Sequence, residues 1–130
     1  ICMTINTHLR IDAALSGEVQ SLSPGKSSVV LRTSQAMIAD DKNLVHGGFL
    51  FSAADYAAMC AVNDPNVVLG SAEVKFLRPT VAGTLVTLSA EVVEESGKKR
   101  RVFVTASDEA GQKCFEGTCT CCVLAKHVRD

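Results

Sequence analysis

The sequence predicts an α+β fold, a curved antiparallel β-sheet wrapped around one long α-helix. Three observations lead there. Residues 47–62 are apolar or small almost all round, so a helix in that place must be covered on most sides. The segments that follow alternate apolar and polar residues with a period of two. Short turn signals join those segments, which favours antiparallel neighbours. A strongly curved sheet closing around the helix satisfies all three.

The elements follow in order. THLRIDAALSGEVQSL holds a short helix or turn leading into a strand. SPGK (23–26) is a turn, and SSVVLRTSQAM (27–37), rich in Val, Leu and Thr, reads as a strand. IADDKNLVHGG is a loop carrying charge and glycine. Ala, Leu and Met favour the helix from Gly47 to Val62, and Asn63-Asp64-Pro65 ends it because proline cannot continue a helix. Val67–Arg78 puts Val74 and Phe76 on one face and Glu73 and Lys75 on the other, and Pro79 closes it. After the turn VAG (81–83), Thr84–Glu95 alternates Val86, Leu88, Ala90 and Val92 with Thr87, Ser89 and Glu91. SGKK (96–99) and DEAGQ (108–112) are turns, and Arg100–Ser107 and Lys113–Ala125 complete a meander of about four strands.

Composition bounds the function. A chain of 130 residues suits a single domain over 1–130, and 47% apolar against 21% charged residues implies a packed core. The net charge of −1 predicts no nucleic-acid or anionic-membrane partner. Tryptophan is absent and Tyr56 is the one tyrosine, so stacking platforms for single strands are not expected. No apolar run reaches the roughly 18–20 residues needed to span a bilayer. The N-terminal ICMTINTHLR lacks a signal layout and an initial Met, which predicts a trimmed, cytoplasmic chain. Cysteines stand at 2, 60, 114, 119, 121 and 122. In the strand CFEGTCTCC, Cys121 and Cys122 point to opposite faces, so free thiols in a reducing compartment are expected. Cys119 and Cys121 share a face, but two thiols are too few for zinc. Burial as small apolar side chains is the default reading, with any exposed thiols near the C-terminus open to oxidation.

HGGFLFSAADYA, followed by VKFLRPTVAGTLVTLSAEVVEESGKKRRVFVTASDEAGQKCFEGTCTC, resembles the hotdog-fold acyl-CoA thioesterases, in particular their phenylacetate-pathway (PaaI-like) branch. The resemblance covers roughly Leu44 to Cys121. It rests on HGG opening the helix, an Asp eight residues past the first Gly, and F-x-R-P with A-G behind it. It implies a homodimer or dimer of dimers acting on acyl groups carried by coenzyme A, with no cofactor besides the CoA of the substrate. It also implies that the Gly47 backbone N–H binds the thioester carbonyl, that Asp55 is nucleophile or general base, and that His46 shapes the loop beside them. Two positions depart from the family's Asn-x-x-Gly-x-x-His. Asp40 stands for the Asn, and Asn43 for the Gly. Asn tolerates a left-handed backbone, so Asn43 is expected to keep the turn. Asp40 adds negative charge and is expected to oppose ionisation of Asp55.

The chemistry supports such a site independently. A thioester carbonyl becomes an oxyanion on attack, and a helix N-terminus offers unpaired N–H groups and partial positive charge. Gly47 and Gly48 let a substrate approach the backbone closely. Losing such a donor costs about 3–4 kcal/mol in the barrier. Asp55 lies eight residues on, ~12 Å down the helix, whereas reacting atoms must come within roughly 3–3.5 Å. One chain therefore cannot assemble the site, and a two-fold dimer with Gly47 of one subunit against Asp55 of the other is predicted. An ionised carboxylate facing an apolar core is costly unless paired, and no Lys or Arg lies at helical spacing to pair with it. Asp55 either faces a cleft or is a solvated residue with Ser52 and Tyr56 on one exposed face.

His46 is a general-base candidate whose plainer role is loop structure. Lys75 and Arg78 could meet CoA phosphates, as could GKKRR (97–101), although a basic turn is usually only solvated. His8 and His127 are expected at the surface, outside the site. Two activities remain: an acyl-CoA thioesterase, or a module that binds acyl-CoA without hydrolysing it and acts as a sensor through a partner.

Overall fold

The computed structural model describes residues 3–130; the free thiol expected at Cys2 lies outside them. The elements are α1 (Ala13–Ser16), β1 (Glu18–Ser23), β2 (Lys26–Arg32), α2 (Gly47–Val62), β3 (Val67–Phe76), β4 (Leu85–Ser96), β5 (Lys99–Ser107) and β6 (Lys113–Val123). The strands form one antiparallel sheet in the order β1-β2-β4-β5-β6-β3. α2 touches every one of these strands. A flat sheet six strands wide would span more than one helix diameter, since neighbouring strands lie about 4.8 Å apart. Contact from both edges therefore requires the sheet to curve round α2.

Small residues make that closeness possible. Ala53, Ala54, Ala57, Ala58 and Ala61 are all buried on α2, with Met59 and Cys60 between them. From the sheet come Val29, Leu31, Val86, Leu88, Val102, Val104, Ala106 and Phe115, the alternate residues of their strands. Burying a Val, Leu or Phe side chain stabilises by about 1.5–3 kcal/mol. The helix ends as its sequence requires. Asn63 takes the left-handed conformation at φ 56°, and its N–H closes onto the Met59 carbonyl at 2.7 Å.

Three expectations are corrected. The strand expected over 27–37 stops at Arg32, and Gln35–Met37 turns as a 3₁₀ helix that buries Met37. β3 ends at Phe76 rather than Arg78, where the backbone departs and Leu77 N–H donates to the Cys114 carbonyl. The strands after α2 are not a simple meander. β3 pairs with β6, from Val67↔Val123 to Phe76↔Phe115, and forms the far edge, while β4 lies against β2. The chain leaves α2 beside one edge, and residues 77–84 carry it back across the helix N-terminus to β4.

The described thiols are free and follow the expected alternation along β6. Cys60, Cys114, Cys119 and Cys121 are buried, and Cys122 is partly exposed. Burial pushes Cys60 and Cys119 up to about 11 and Cys121 up to about 12, far from thiolate formation at neutral pH. Among the described cysteines, Cys122 is expected to be alkylated in the native protein, and the other four only after unfolding. Peptide mapping by mass spectrometry checks this; rapid native labelling of Cys119 would refute the packing of β6 on α2.

Candidate active site

The loop before α2 is tied from several sides. Asp40 Oδ1 accepts from the N–H groups of Lys42 (2.9 Å) and Leu44 (3.1 Å). Its carboxylate thus closes its own turn. Asn43 is left-handed, at φ 65°, as its place in the turn demands; its side chain accepts from Gln35 Nε2 (3.1 Å) and its carbonyl from Ala82 N–H (2.9 Å). His46 N–H donates to the Met37 carbonyl (2.8 Å), and the His46 ring caps the helix, Nδ1 accepting the Gly48 N–H at 2.9 Å. A methyl group at Gly48 would sit 2.8 Å from that nitrogen, so the cap itself requires glycine there. The Gly48 N–H is therefore spent inside the protomer. The Gly47 N–H has no acceptor among the described residues and is the open donor of the first turn.

Phe76 lies against Gly47, its ring edge 3.0 Å from where a β-carbon would stand, and meets Phe115 edge-on at 5.3 Å. β3 thereby brings its C-terminal end to the helix N-terminus, with Lys75 and Arg78 exposed on either side of Phe76 and Leu77. Neither cation is in an ion pair among the described residues, whereas Arg100 and Arg101 of the GKKRR turn pair with Glu95 (3.6 Å) and Glu94 (3.2 Å). Asp40, Asn43, His46, Gly47, Gly48, Lys75 and Arg78 thus gather at one end of α2.

Asp55 does not join them. It lies more than two turns further on, ~12 Å along the axis. Its Oδ1 is buried and has no hydrogen-bond partner. The flanking residues settle which face it occupies: Tyr56 is buried, and Ser52 Oγ is 2.7 Å from Ser16 Oγ. A solvated face with Ser52 and Tyr56 is ruled out. Asp55 opens instead onto a cavity of about 360 Å³ bordered by Thr7, His8, Asn66, Leu69 and His127. Desolvation raises its carboxyl above the ordinary range, and the charge of His8 pulls it back down. Asp40 was expected to weigh on Asp55; within the protomer the group whose charge reaches it is His8.

The placement of His8 was missed. Both His8 and His127 are exposed, as expected, but both border the Asp55 cavity rather than lying away from the site. No periodicity or spacing in THLR marks His8; residues 8 and 55 come to line one cavity only through the fold. Two bonds from Asn63 fix the segment: Asn6 N–H donates to its Oδ1 (2.7 Å), and its Nδ2 donates to the Thr4 carbonyl (2.9 Å). Among the described residues no group of three or more His, Cys, Asp or Glu is placed to hold a metal, and no helix is long and apolar enough to cross a membrane.

A family model described as the thioesterase superfamily matches residues 42–115. The chain is 51% identical over 115 residues to a methylthioribose-1-phosphate isomerase of Aquifex aeolicus, a match covering 88% of this chain and 25% of that protein. It is 35% identical over 92 residues to the acyl-coenzyme A thioesterase PaaI of Escherichia coli (69% and 64% covered). It is 26% identical over 95 residues to the transcription factor FapR of Caldanaerobacter subterraneus (72% and 48%). The chain thus spans between a quarter and two-thirds of the length of these relatives. A crystal structure of an uncharacterised Pyrococcus horikoshii protein superposes with a TM-score of 0.97 at 42% identity, covering 100% of this chain and 99% of the other.

Proposed function

Since this chain belongs to the thioesterase superfamily, we propose that it hydrolyses an acyl-CoA thioester to the free acid and coenzyme A. The observation that carries this reading is Asp55 itself, a carboxylate at the wall of an accessible cavity with one oxygen enclosed and unpartnered. A carboxylate held there without a protein partner is costly to folding and suited to general-base or nucleophilic work. The Gly47 N–H is the electrophilic counterpart, a free donor at a helix N-terminus where an oxyanion is stabilised. His46 holds that terminus in shape, and Lys75 and Arg78 are free to meet CoA phosphates. The similarity to PaaI supports coenzyme A as the carrier. The reaction needs no cofactor besides that CoA, and a cytoplasmic setting suits the free thiols.

The working unit is a homodimer or a dimer of dimers, because Gly47 and Asp55 of one chain cannot reach one carbonyl carbon. Two features favour it. β3 is an edge strand, bonded to β6 on one side. An exposed apolar group (Leu44, Phe76, Leu77 and Val81) surrounds the helix N-terminus. A second copy approaching across β3 would cover that group and bring its own Gly47 toward this Asp55.

Thiol release from a panel of short, long and aromatic acyl-CoAs tests the activity, and light scattering after size exclusion tests the assembly. Turnover with a mass of twice the chain or more is expected. A monomer that turns over would sink the shared site. A second reading, a module that binds acyl-CoA without hydrolysing it, is favoured by the similarity to FapR only in that FapR is a transcription factor. Saturable binding without thiol release would favour it.

A further inference from the structure

The cavity that Asp55 lines is also lined by an imidazole, and the way that imidazole is held is informative. His8 adopts φ 52°, a left-handed conformation uncommon for a residue with a side chain. Its Nδ1 lies 2.7 Å from Thr7 Oγ1, and Thr7 itself is buried. The preceding residues are clamped to the C-cap of α2 by both polar atoms of the Asn63 side chain. A short chain segment is thus pinned at three points around one ring. Strain of this kind persists where the surroundings over-determine it, and it collects at functional sites.

Asp55 needs what such a ring supplies. Its Oδ1 has neither a protein partner nor solvent access, and buried polar atoms in that condition are rare. The groups that face it are His8 from the N-terminal segment, the Cys119 and Cys121 thiols from β6, and His127 from the C-terminal segment. The thiols are weak donors. His127 is exposed, and its Nδ1 already accepts the Arg129 N–H at 3.0 Å. His8 has one nitrogen fixed by Thr7 and the other free for the cavity. Nε2 carries a hydrogen both in the cationic ring, whose Nδ1–H donates to Thr7 Oγ1, and in the neutral tautomer in which the Thr7 hydroxyl donates to Nδ1.

We infer that Asp55 and His8 together hold the water that attacks the thioester, so that His8 is a positioning residue of the site and Asp55 its general base. The inference rests on the thioesterase reading. The water donates one hydrogen to the Asp55 oxygen that faces the cavity, not to the enclosed Oδ1, and accepts the Nε2–H of His8, which leaves a lone pair aimed into the cavity. On attack, that pair forms the new C–O bond, the water's proton passes to Asp55, and the carbonyl π pair moves to the oxygen facing Gly47 of the partner subunit. Collapse re-forms the carbonyl, breaks the C–S bond and releases the thiolate, which takes the proton from Asp55.

The test compares wild type with His8→Ala, His8→Gln and His127→Ala. His8→Ala is expected to lower kcat at least roughly tenfold, with KM changed by no more than about twofold, and His8→Gln to recover part of the loss through its side-chain N–H. Removing His8 also removes the charge that draws the Asp55 carboxyl down, so the acid limb of the kcat profile moves to higher pH. A carbon-13 titration of the Asp55 carboxyl in wild type and His8→Ala must show the same displacement, and this reading needs no turnover. Wild-type kcat in His8→Ala, a loss in His127→Ala in its place, or an Asp55 midpoint unmoved by removing His8 would each overturn the inference. Absence of hydrolysis by the wild type would instead remove the thioesterase reading, with the carboxyl titration still deciding whether His8 and Asp55 face one another.

Discussion

Asp55→Asn is expected to hydrolyse acyl-CoA at least roughly a hundredfold more slowly than wild type, in line with the 10²–10⁴-fold typical of a positioned acid or base. The amide keeps the shape of the carboxylate and cannot take a proton from water. The same substitution is expected to stabilise the fold near neutral pH. Burial raises the Asp55 carboxyl, so the folded chain holds that proton more tightly than the unfolded one. The contribution is favourable at low pH and is lost as pH rises through the folded-state pKa. Asparagine has no ionised form and avoids that loss, so the gain appears at pH 7 and shrinks in acid. Thiol release measured side by side, with urea unfolding at both pH values, checks both halves. A variant that keeps wild-type turnover would remove Asp55 from the chemistry.

Phe115→Ala is expected to cost about 3–5 kcal/mol. This is a large share of the roughly 5–15 kcal/mol by which a domain is stable. Phe115 is fully buried on β6 and carries the half-exposed Phe76 ring, which in turn lies on Gly47. Removing it opens a cavity beneath the wall of the helix N-terminus, so the oxyanion donor loses its backing as well. Phe76→Ala, at 54% exposure, is expected to cost far less in a separated protomer. Urea midpoints with unchanged m-values measure the difference. A loss below about 1 kcal/mol for Phe115→Ala would mean that the core under the site is not packed as described.

Residues 47–62 were legible because punctuation and composition agree there: glycines open the helix, Asn63-Asp64-Pro65 ends it, and alanines fill it. β4 and β5 were legible because each has one face on α2 and one in solvent, the condition that writes a period of two. β3 was less so. It is an edge strand whose middle residues are mostly exposed, so burial does not enforce its pattern, and its partner β6 lies some forty residues away in the chain. The Arg32 boundary was hidden because Thr33 and Met37 are buried by a turn as effectively as by a strand. At the candidate site, Gly47, His46 and Asp55 were readable because their helix fixes their spacing. His8 was not, since it reaches the cavity of Asp55 only through the fold of the N-terminal segment, which Asn63 clamps at Thr4 and Asn6.

The cavity over Asp55 takes its walls from residues 7–8, 65–69 and 127–128. On the ribosome the first wall emerges long before α2 exists, and it has nothing to grip until Asn63 appears to clamp Asn6. The second wall is β3, which has no strand to pair with until β6 follows. The third wall is made from residues synthesised after every strand. The walls of the Asp55 cavity therefore come from three segments far apart in sequence, and none of them forms it alone.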